Sequence, residues 1–330
     1  MKHLNSTPDS RSPALRDMRV VKSEPSAFLA FDVMKRIPAR YIIERAMLRG
    51  DICRGTVVVD TTSGSFGVGL AEVCHEHRLE LHLISDPSIN GKARVMCEML
   101  GTIVHVVEVP DASGNYQRPR LCLMHEVARN HSDVFFPKQY DNEDNPRSYG
   151  EVARLIVDEE KVRPDIIIGT VGSSGSSRGL LEGFRSLGLD PALIGVDTPG
   201  SVLFGDSDRE RRLRGLGNSV RPKILRPDLY NEVHWVPFEV AKAGVARLYR
   251  NHLLFQGMTS GAAYATYEQV GARNPKACIL VVLPDSGDRY ISDLHDAGAV
   301  AEAAVTTPRI TYKSPQCDAD WCYKLEAEYA

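Results

Sequence analysis

The sequence predicts an α/β protein in which mostly parallel sheets are flanked by helices. Short β-branched runs alternate with helix-periodic stretches of about ten to fifteen residues, which is typical of βαβ units. The chain has 330 residues, and one hydrophobic core rarely grows past ~250 residues, so we expect two domains. Hydrophobic residues make up 43% and charged residues 25% of the chain, as in ordinary globular proteins.

Predicted strands and helices alternate in a regular order along the chain. The strands are expected at 56–60, 81–85, 102–107, 165–169, 192–196, 233–236 and 278–283. The helices are expected at 37–48, 67–77, 91–100, 118–130 and 176–187, with more across 239–272. Residues 1–26 are polar, so we expect a loose start. The polar stretch 140–150 separates two layers, and it predicts a smaller domain at 36–140 and a larger one from 1–35 and 141–330.

Composition and charge exclude several classes of partner. Lys and Arg number 40 against 43 Asp and Glu, a formal charge of −3, so nothing indicates a nucleic-acid partner. The longest apolar runs are far shorter than the ~20 residues that span a bilayer. The N-terminus has no apolar signal core, so we expect a cytoplasmic protein. Seven cysteines without a CxxC pair favour free thiols.

Three loops rich in Gly and Ser follow predicted strands, which is where ligands bind in parallel α/β sheets. They lie at 61–67 (TTSGSFG), 170–179 (TVGSSGSSRG) and 284–290 (PDSGDRY). We call the first the carboxylate loop and the third the ring-nitrogen loop, after the groups that each could bind. Residues 172–179 open a predicted helix. Their glycines let the backbone approach an anion, and helical N–H groups point at it. We call residues 172–179 the phosphate cup, although an ordinary Gly/Ser turn also fits the pattern.

The other two loops and one lysine add weaker signals. The carboxylate loop can hold an anion by the same backbone geometry. Ser286 could donate to a neutral ring nitrogen, or simply belong to a turn after a core strand. Lys35 follows the mostly apolar residues 28–34. Desolvation there would lower its pKa and make it a usable amine nucleophile and base, although most lysines are solvated surface residues.

As a set, these segments resemble the fold-type II pyridoxal-phosphate enzymes of the cysteine synthase and cystathionine β-synthase superfamily. The family's Schiff-base lysine segment is similar to residues 33–36 (VMKR), with Gly50 fifteen residues after Lys35. The TSGNTG, GTGGTxTG, GISSGA and PDSGERY motifs are similar to residues 62–67, 172–179, 257–262 and 284–290. The resemblance covers about residues 30–295. It implies a two-domain tryptophan synthase β-like fold, pyridoxal 5′-phosphate as cofactor, and a homodimer.

The resemblance also implies a role for individual residues. Lys35 would be the catalytic lysine. The cofactor would contact Ser65, Gly172, Ser173, Ser174, Gly175, Ser176 and Ser286. The amino-acid substrate would contact Thr62, Ser63, Gly64, Arg120, Gln139 and Tyr140. Substrate on the smaller domain and cofactor on the larger would favour domain closure. Ser65 and Phe66 replace the Asn and Thr of the family motif, and Gly172 replaces a Ser found in some relatives.

The implied reaction is β-replacement on an O-activated L-serine through an aminoacrylate. Four segments outside the shared motifs resemble the N-(2-amino-2-carboxyethyl)-L-glutamate synthases: 34–44, 108–116, 197–206 and 215–219. Those enzymes join O-phospho-L-serine to L-glutamate, giving a 2,3-diaminopropionate precursor in some siderophore pathways. Arg120 is then the first candidate for the leaving phosphate, with Arg178 and Arg289 as further candidates. O-acetyl-L-serine remains an alternative donor.

Other functions stay open at this point. A cysteine synthase would use sulfide as the nucleophile. Ser65 and Phe66 favour a catalytically impaired binding or regulatory subunit. A nicotinamide oxidoreductase is disfavoured because the Gly-rich loop lies late in the chain, and we expect Asp197 to end a strand.

No metal site is expected from sequence spacing. The segment 74–77 (CHEH) follows a helical pattern without a suitably spaced carboxylate, so its histidines are expected at a helix end. The segment 317–322 (CDADWC) either contacts a partner through Trp321 or belongs to a loose tail.

Overall fold

A computed structural model describes residues 12–62, 64–87, 89–111, 116–213 and 215–295, and the backbone of 322–323. Within these residues the strands are β1 (Arg19–Ser23), β2 (Ser26–Ala30), β3 (Val57–Thr61), β4 (Glu80–Ser85), β5 (Ile103–Val106), β6 (Val134–Phe135), β7 (Ile166–Thr170), β8 (Ala192–Asp197), β9 (Glu232–Trp235), β10 (Ile279–Leu283) and β11 (Cys322–Tyr323). They form a seven-stranded sheet, ordered β1-β2-β10-β7-β8-β9-β11, and a four-stranded sheet, ordered β5-β4-β3-β6.

Helices cover both faces of each sheet. They are α1 (Arg36–Arg49), α2 (Ser65–His77), α3 (Gly91–Met99), α4 (Gln117–Arg129), α5 (Asp144–Arg147), α6 (Gly150–Asp158), α7 (Gly175–Ser186), α8 (Phe238–His252), α9 (Met258–Arg273) and α10 (Ile291–Leu294). In the larger sheet, α6 and α7 pack on one face through Leu155 and Phe184. On the opposite face, α8 and α9 pack through Leu248 and Ala262.

The four-stranded sheet is covered in the same way. Ile42 of α1 and Leu70 of α2 are fully buried on one face, and Val127 of α4 packs on the other. All pairs in this sheet are parallel. In the larger sheet only the outer pairs β1–β2 and β9–β11 are antiparallel. The predicted α/β class with mostly parallel sheets is therefore confirmed.

The sequence analysis does not predict the strands β1, β2, β6 and β11 or the helices α5, α6 and α10. β1 is an edge strand whose side chains are half or fully exposed, so its polar sequence lacks the apolar signal of a core strand. The strands and helices that were predicted are found in the structure, with ends that differ from the predicted ones by one or two residues. β8 ends at Asp197, as expected. The four-stranded sheet and its helices use residues 36 to 135, and the domain limits at 36–140 stay a prediction.

Two other features concern membranes and thiols. Among the described residues, every helix is too short or too polar to cross a bilayer. The cysteines at 53, 74, 97, 122 and 278 are free thiols. The segment 317–321, the start of the chain to residue 11, and Ser63 lie outside the described residues.

Candidate active site

The three predicted loops meet at the carboxyl ends of the strands. The phosphate cup follows β7, the carboxylate loop follows β3, and the ring-nitrogen loop follows β10. Contacts join them: Lys35 Nζ donates to Ser173 Oγ at 3.1 Å, and a guanidinium nitrogen of Arg289 donates to Ser65 Oγ. Residues that are far apart in sequence therefore form one cleft between the two sheets, as expected for parallel α/β folds.

Lys35 lies between β2 and α1, in a segment fixed by the ring-nitrogen loop. The amide of Met34 donates to the carbonyl of Pro284 at 3.0 Å, and Val33 forms a bridge with Asp285. The Lys35 side chain points into the phosphate cup, where burial lowers the pKa of the amine to about 8. Loss of hydration disfavours the ammonium form, so a larger share of the amine is neutral near pH 7.

Glycines in the phosphate cup are required by close packing against α5. A Cβ on Gly175 would lie 2.0 Å from Asn145 Oδ1, and one on Gly179 would lie 2.1 Å from the carbonyl of Pro146. Ser174 has a left-handed backbone, with φ of 69°, and makes no side-chain cap on α7. The Gly175 amide donates to Ser173 Oγ at 3.3 Å. The start of α7 still presents the positive end of the helix dipole to the cup, which suits a phosphate.

Serines of the phosphate cup have different partners. Ser173 Oγ also accepts from the Asn145 amide nitrogen at 3.3 Å. Ser174 Oγ is bonded to the Tyr230 hydroxyl at 2.8 Å, so its own hydroxyl is turned to the core. Ser176 is buried in the first turn of α7. Of these side chains, Ser173 is the one bonded to the candidate catalytic amine.

Ser286 sits beside the Lys35 segment because the ring-nitrogen loop pairs with it. Its amide donates to the carbonyl of Asp32 at 3.2 Å. Its Oγ accepts from the amide of Asp288 at 3.3 Å and caps a short 3₁₀ turn. Accepting this bond leaves the hydroxyl hydrogen available for donation, which is what a neutral ring nitrogen needs.

The carboxylate loop is held by its own contacts. Thr62 Oγ1 accepts from the amide of Gly64 at 3.2 Å, and a Cβ on Gly67 would lie 2.6 Å from Thr62 Cγ2. Phe66 is 2% exposed and belongs to the core of the four-stranded sheet, so it packs rather than binds. Ser65 accepts from the Arg289 guanidinium.

Arg120 lies in the first turn of α4 with a group of polar residues. Its guanidinium donates to Asp86 Oδ2 at 3.0 Å, while its buried Nε has no acceptor among the described residues. Burial raises the pKa of Asp60 to about 7, although Arg120 and the Thr61 amide act in the opposite direction. Asp60 and Asp86 were not predicted. The sequence feature that could have identified them is a carboxylate at the end of a predicted parallel strand.

The remaining predicted substrate residues lie at the border of the two layers. Tyr140 is 40% exposed. Burial around its hydroxyl raises the pKa of Tyr140, whereas Arg120 and a hydrogen bond with Asn218 lower it. Gln139 is buried, and its carbonyl accepts from the Asn145 amide at 2.6 Å. Asn145, which the sequence analysis did not single out, therefore links Gln139 to the phosphate cup.

The two further arginine candidates differ in position. Arg178 forms ion pairs with Glu143 at 2.8 Å and with Glu182 at 2.7 Å, so its charge is already used on the outer side of α7. The side chain of Arg289 is only 11% exposed and reaches across the cleft to Ser65. The backbone carbonyl of Arg289 accepts from Asn90 at 3.0 Å.

The donor set fits pyridoxal phosphate. The phosphate cup offers N–H groups in the first turn of α7, Lys35 offers an amine with a lowered pKa, and Ser286 offers a hydroxyl donor for the ring nitrogen. Packing on Asn145 leaves no room for a side chain at Gly175, so the backbone itself lines the cup.

Comparisons with known proteins agree with this fold. In solved structures, the chain is similar to an O-acetylserine dependent cystathionine β-synthase from Helicobacter pylori, with 24% identity and a TM-score of 0.75 over 84% of this chain and 95% of that one. It is also similar to a cysteine synthase from Entamoeba histolytica, with 18% identity and a TM-score of 0.76 over 90% and 97%. An O-ureido-L-serine synthase is similar as well, with 19% identity and a TM-score of 0.73 over 86% of this chain and 93% of that one. The family model "Pyridoxal-phosphate dependent enzyme" matches residues 32–285. This chain therefore belongs to the pyridoxal-phosphate dependent enzymes.

Proposed function

We propose that the protein catalyses β-replacement on an O-activated L-serine. The observation that carries the proposal is the Lys35 amine, with a pKa of about 8, 3.1 Å from Ser173 in the phosphate cup. The names of similar proteins support the substrate class, since one depends on O-acetylserine and another makes O-ureido-L-serine. When bound, the cofactor supplies an aldehyde that condenses with amines and a ring that withdraws electrons.

Lys35 is proposed as both the cofactor anchor and the base that removes the α-proton. With a pKa near 8, about one amine in ten is neutral at pH 7, against fewer than one in a thousand for an ordinary lysine. Ser173 Oγ holds the amine at the rim of the cup. The hydroxyl of Ser286 donates without carrying charge, so it does not protonate the ring nitrogen.

Arg120 is proposed to hold the leaving group. One side of its guanidinium is fixed by Asp86, and its buried Nε still has an N–H to donate within the described part of the chain. A phosphate accepts such donors with more charge and more oxygens than an acetate does. This favours O-phospho-L-serine over O-acetyl-L-serine.

L-Glutamate is proposed as the nucleophile, as in the N-(2-amino-2-carboxyethyl)-L-glutamate synthases that the sequence resembles. Part of the resembling segment 215–219 lies directly over the phosphate cup. The Gly217 amide donates to the Val171 carbonyl at 2.8 Å, and Asn218 bonds both Tyr140 and the carbonyl of Gly172, the latter at 3.5 Å. Side chains that differ from those of cysteine synthases would therefore act close to the reaction.

Arg289 is proposed to compensate for the missing family asparagine. That asparagine bonds the cofactor's 3′-oxygen in the relatives, and Ser65 stands in its place with a shorter side chain. The Arg289 guanidinium bonds Ser65 and is nearly buried, at 11% exposed. A cation at this position favours an ionised 3′-oxygen. Ser65 need not then indicate an inactive site.

A product assay by mass spectrometry tests the reaction. O-phospho-L-serine and O-acetyl-L-serine are each offered with L-glutamate and with sulfide. The proposal predicts N-(2-amino-2-carboxyethyl)-L-glutamate from O-phospho-L-serine, no product from Lys35→Ala, and unchanged product from the exposed-site control Lys276→Ala. Cysteine as the main product identifies a cysteine synthase instead. If neither donor is consumed although the cofactor is bound, the result supports the alternative that the protein is a binding or regulatory subunit.

A cytoplasmic location and a homodimer are proposed on family likeness. Light scattering on the purified holoprotein checks the second, with twice the 36.5 kDa chain mass expected. A measured mass equal to that of one chain contradicts the homodimer.

A further inference from the structure

Three histidines and a glutamate cluster on the four-stranded sheet, on the face that packs against α4. Glu80 and His82 lie in the first half of β4, and His131 lies in the turn between α4 and β6. The candidate active site is at the carboxyl ends of the strands. The cluster is therefore at the opposite end of this sheet, and the proposed reaction does not use it.

We propose that Glu80, His82 and His131 form a binding site for a divalent transition metal of the zinc type. One carboxylate oxygen and one ring nitrogen from each histidine lie within 4.8 Å of one another. His82 Nε2 is 2.8 Å from Glu80 Oε1, and the rings of His82 and His131 meet edge to face at 5.0 Å. No ion is present in the structure.

The ligand atoms need only small movements to bind. Metal–ligand bonds of about 2.0–2.1 Å place tetrahedral ligands about 3.4 Å apart. The Glu80–His82 pair, at 2.8 Å, must open slightly. Because the ligand atoms already lie within 4.8 Å of one another, His131 need approach by no more than about 1.4 Å. His131 is half-buried in a turn, so rotation of its side chain brings it in without moving the sheet.

His105 supports His82 as a second-layer residue supports a metal ligand. His82 Nδ1 is 3.0 Å from His105 Nε2, and the two rings stack at 5.2 Å. If His82 Nδ1–H donates to His105, the Nε2 lone pair of His82 faces Glu80 and is free for a cation.

The donor set indicates the class of metal. Two imidazoles and one carboxylate suit Zn²⁺ and its neighbours better than Mg²⁺ or Ca²⁺, which prefer oxygen. Three protein ligands leave a position for water. His131 also lines a surface groove with Cys122, His125 and Arg129, so this position is accessible from solvent.

Metal binding would tie β4 to the segment between α4 and β6. Any ligand that binds only the folded state stabilises it, so Zn²⁺ is expected to raise the melting temperature. Because α4 also carries Arg120, metal binding would stabilise the helix that presents the residue proposed to hold the leaving group.

The test is a Co²⁺ and Zn²⁺ titration of the untagged holoprotein after chelator treatment and desalting. We expect one equivalent of Co²⁺ to give visible d–d absorption at wavelengths beyond the cofactor band, and Zn²⁺ to displace it. His131→Ala and Glu80→Gln should each weaken binding at least tenfold, as loss of a ligand does. His125→Ala, in the same groove, should bind as the parent does.

Unchanged Co²⁺ affinity in both ligand variants overturns the proposal, as does the absence of d–d bands or a requirement for millimolar metal. Metal-free melting curves and cofactor absorbance of each variant show that it is folded. Glu80 is exposed, so Glu80→Gln still tests the metal site if His131→Ala unfolds.

Discussion

Replacement of Lys35 by methionine is expected to stabilise the cofactor-free protein at neutral pH. Burial lowers the pKa of the amine from its ordinary 10.5 to about 8. At 1.36 kcal/mol per pH unit, that difference corresponds to about 3 kcal/mol. The bond to Ser173 offsets about 1 kcal/mol of any gain from the substitution. Lys35→Met keeps the length of the side chain and removes the buried charge, leaving a net gain of about 2 kcal/mol.

The pH dependence identifies the charge as the cause. Below pH 8 the amine is protonated in both the folded and the unfolded chain, so the penalty is fully present. Between about 8 and 10.5, the folded protein releases the proton while the unfolded chain keeps it, so stability rises with pH in this window. The advantage of Lys35→Met should therefore be greatest at pH 7 and lost by pH 10.5.

Urea denaturation of the cofactor-free proteins at pH 7 and at high pH measures this difference. Lys276→Met, at an exposed position, is the matched control and should leave the midpoint unchanged at both pH values. A Lys35→Met protein that is less stable than the parent at pH 7, or whose advantage does not vary with pH, refutes the assignment of a desolvated amine.

Three further substitutions test separate parts of the site. Gly175→Ala forces a Cβ against Asn145 Oδ1, an overpacking of about 1–3 kcal/mol, and should weaken cofactor binding about 5- to 150-fold in an absorbance titration; unchanged affinity contradicts the packing. Arg120→Ala should lower kcat/KM for O-phospho-L-serine at least tenfold more than for O-acetyl-L-serine, and equal losses exclude a phosphate-specific role. Arg289→Ala should alter the pH dependence of the bound cofactor's visible spectrum, whereas Arg289→Lys should restore it in part. An unaltered spectrum in Arg289→Ala contradicts the proposal that Arg289 compensates for the asparagine that Ser65 replaces.

Most of the strands and helices could be predicted because their signals are local. The run 278–283 and the Gly-rich helix openings each carry their own pattern, and the structure places them within one or two residues. β1 could not be predicted, since an exposed edge strand lacks that pattern.

The site could be predicted only in part, because its contacts are non-local. Lys35 and Ser173 are 138 positions apart, and the sequence alone does not show that they touch. Asn145 has no motif, yet it backs the phosphate cup. The position of Arg289 opposite Ser65 depends on how two loops from different sheets meet. The grouping of Glu80, His82 and His131 could not be predicted, because His131 meets the other two side chains only through the fold.

Lys35 is the residue proposed to carry the cofactor. The most direct measurement is borohydride reduction of the holoprotein followed by peptide mass spectrometry. We expect one reduced cofactor per chain, on the peptide that contains Lys35, and none after Lys35→Ala. Cofactor fixed to any other lysine, or to none, excludes this role for Lys35.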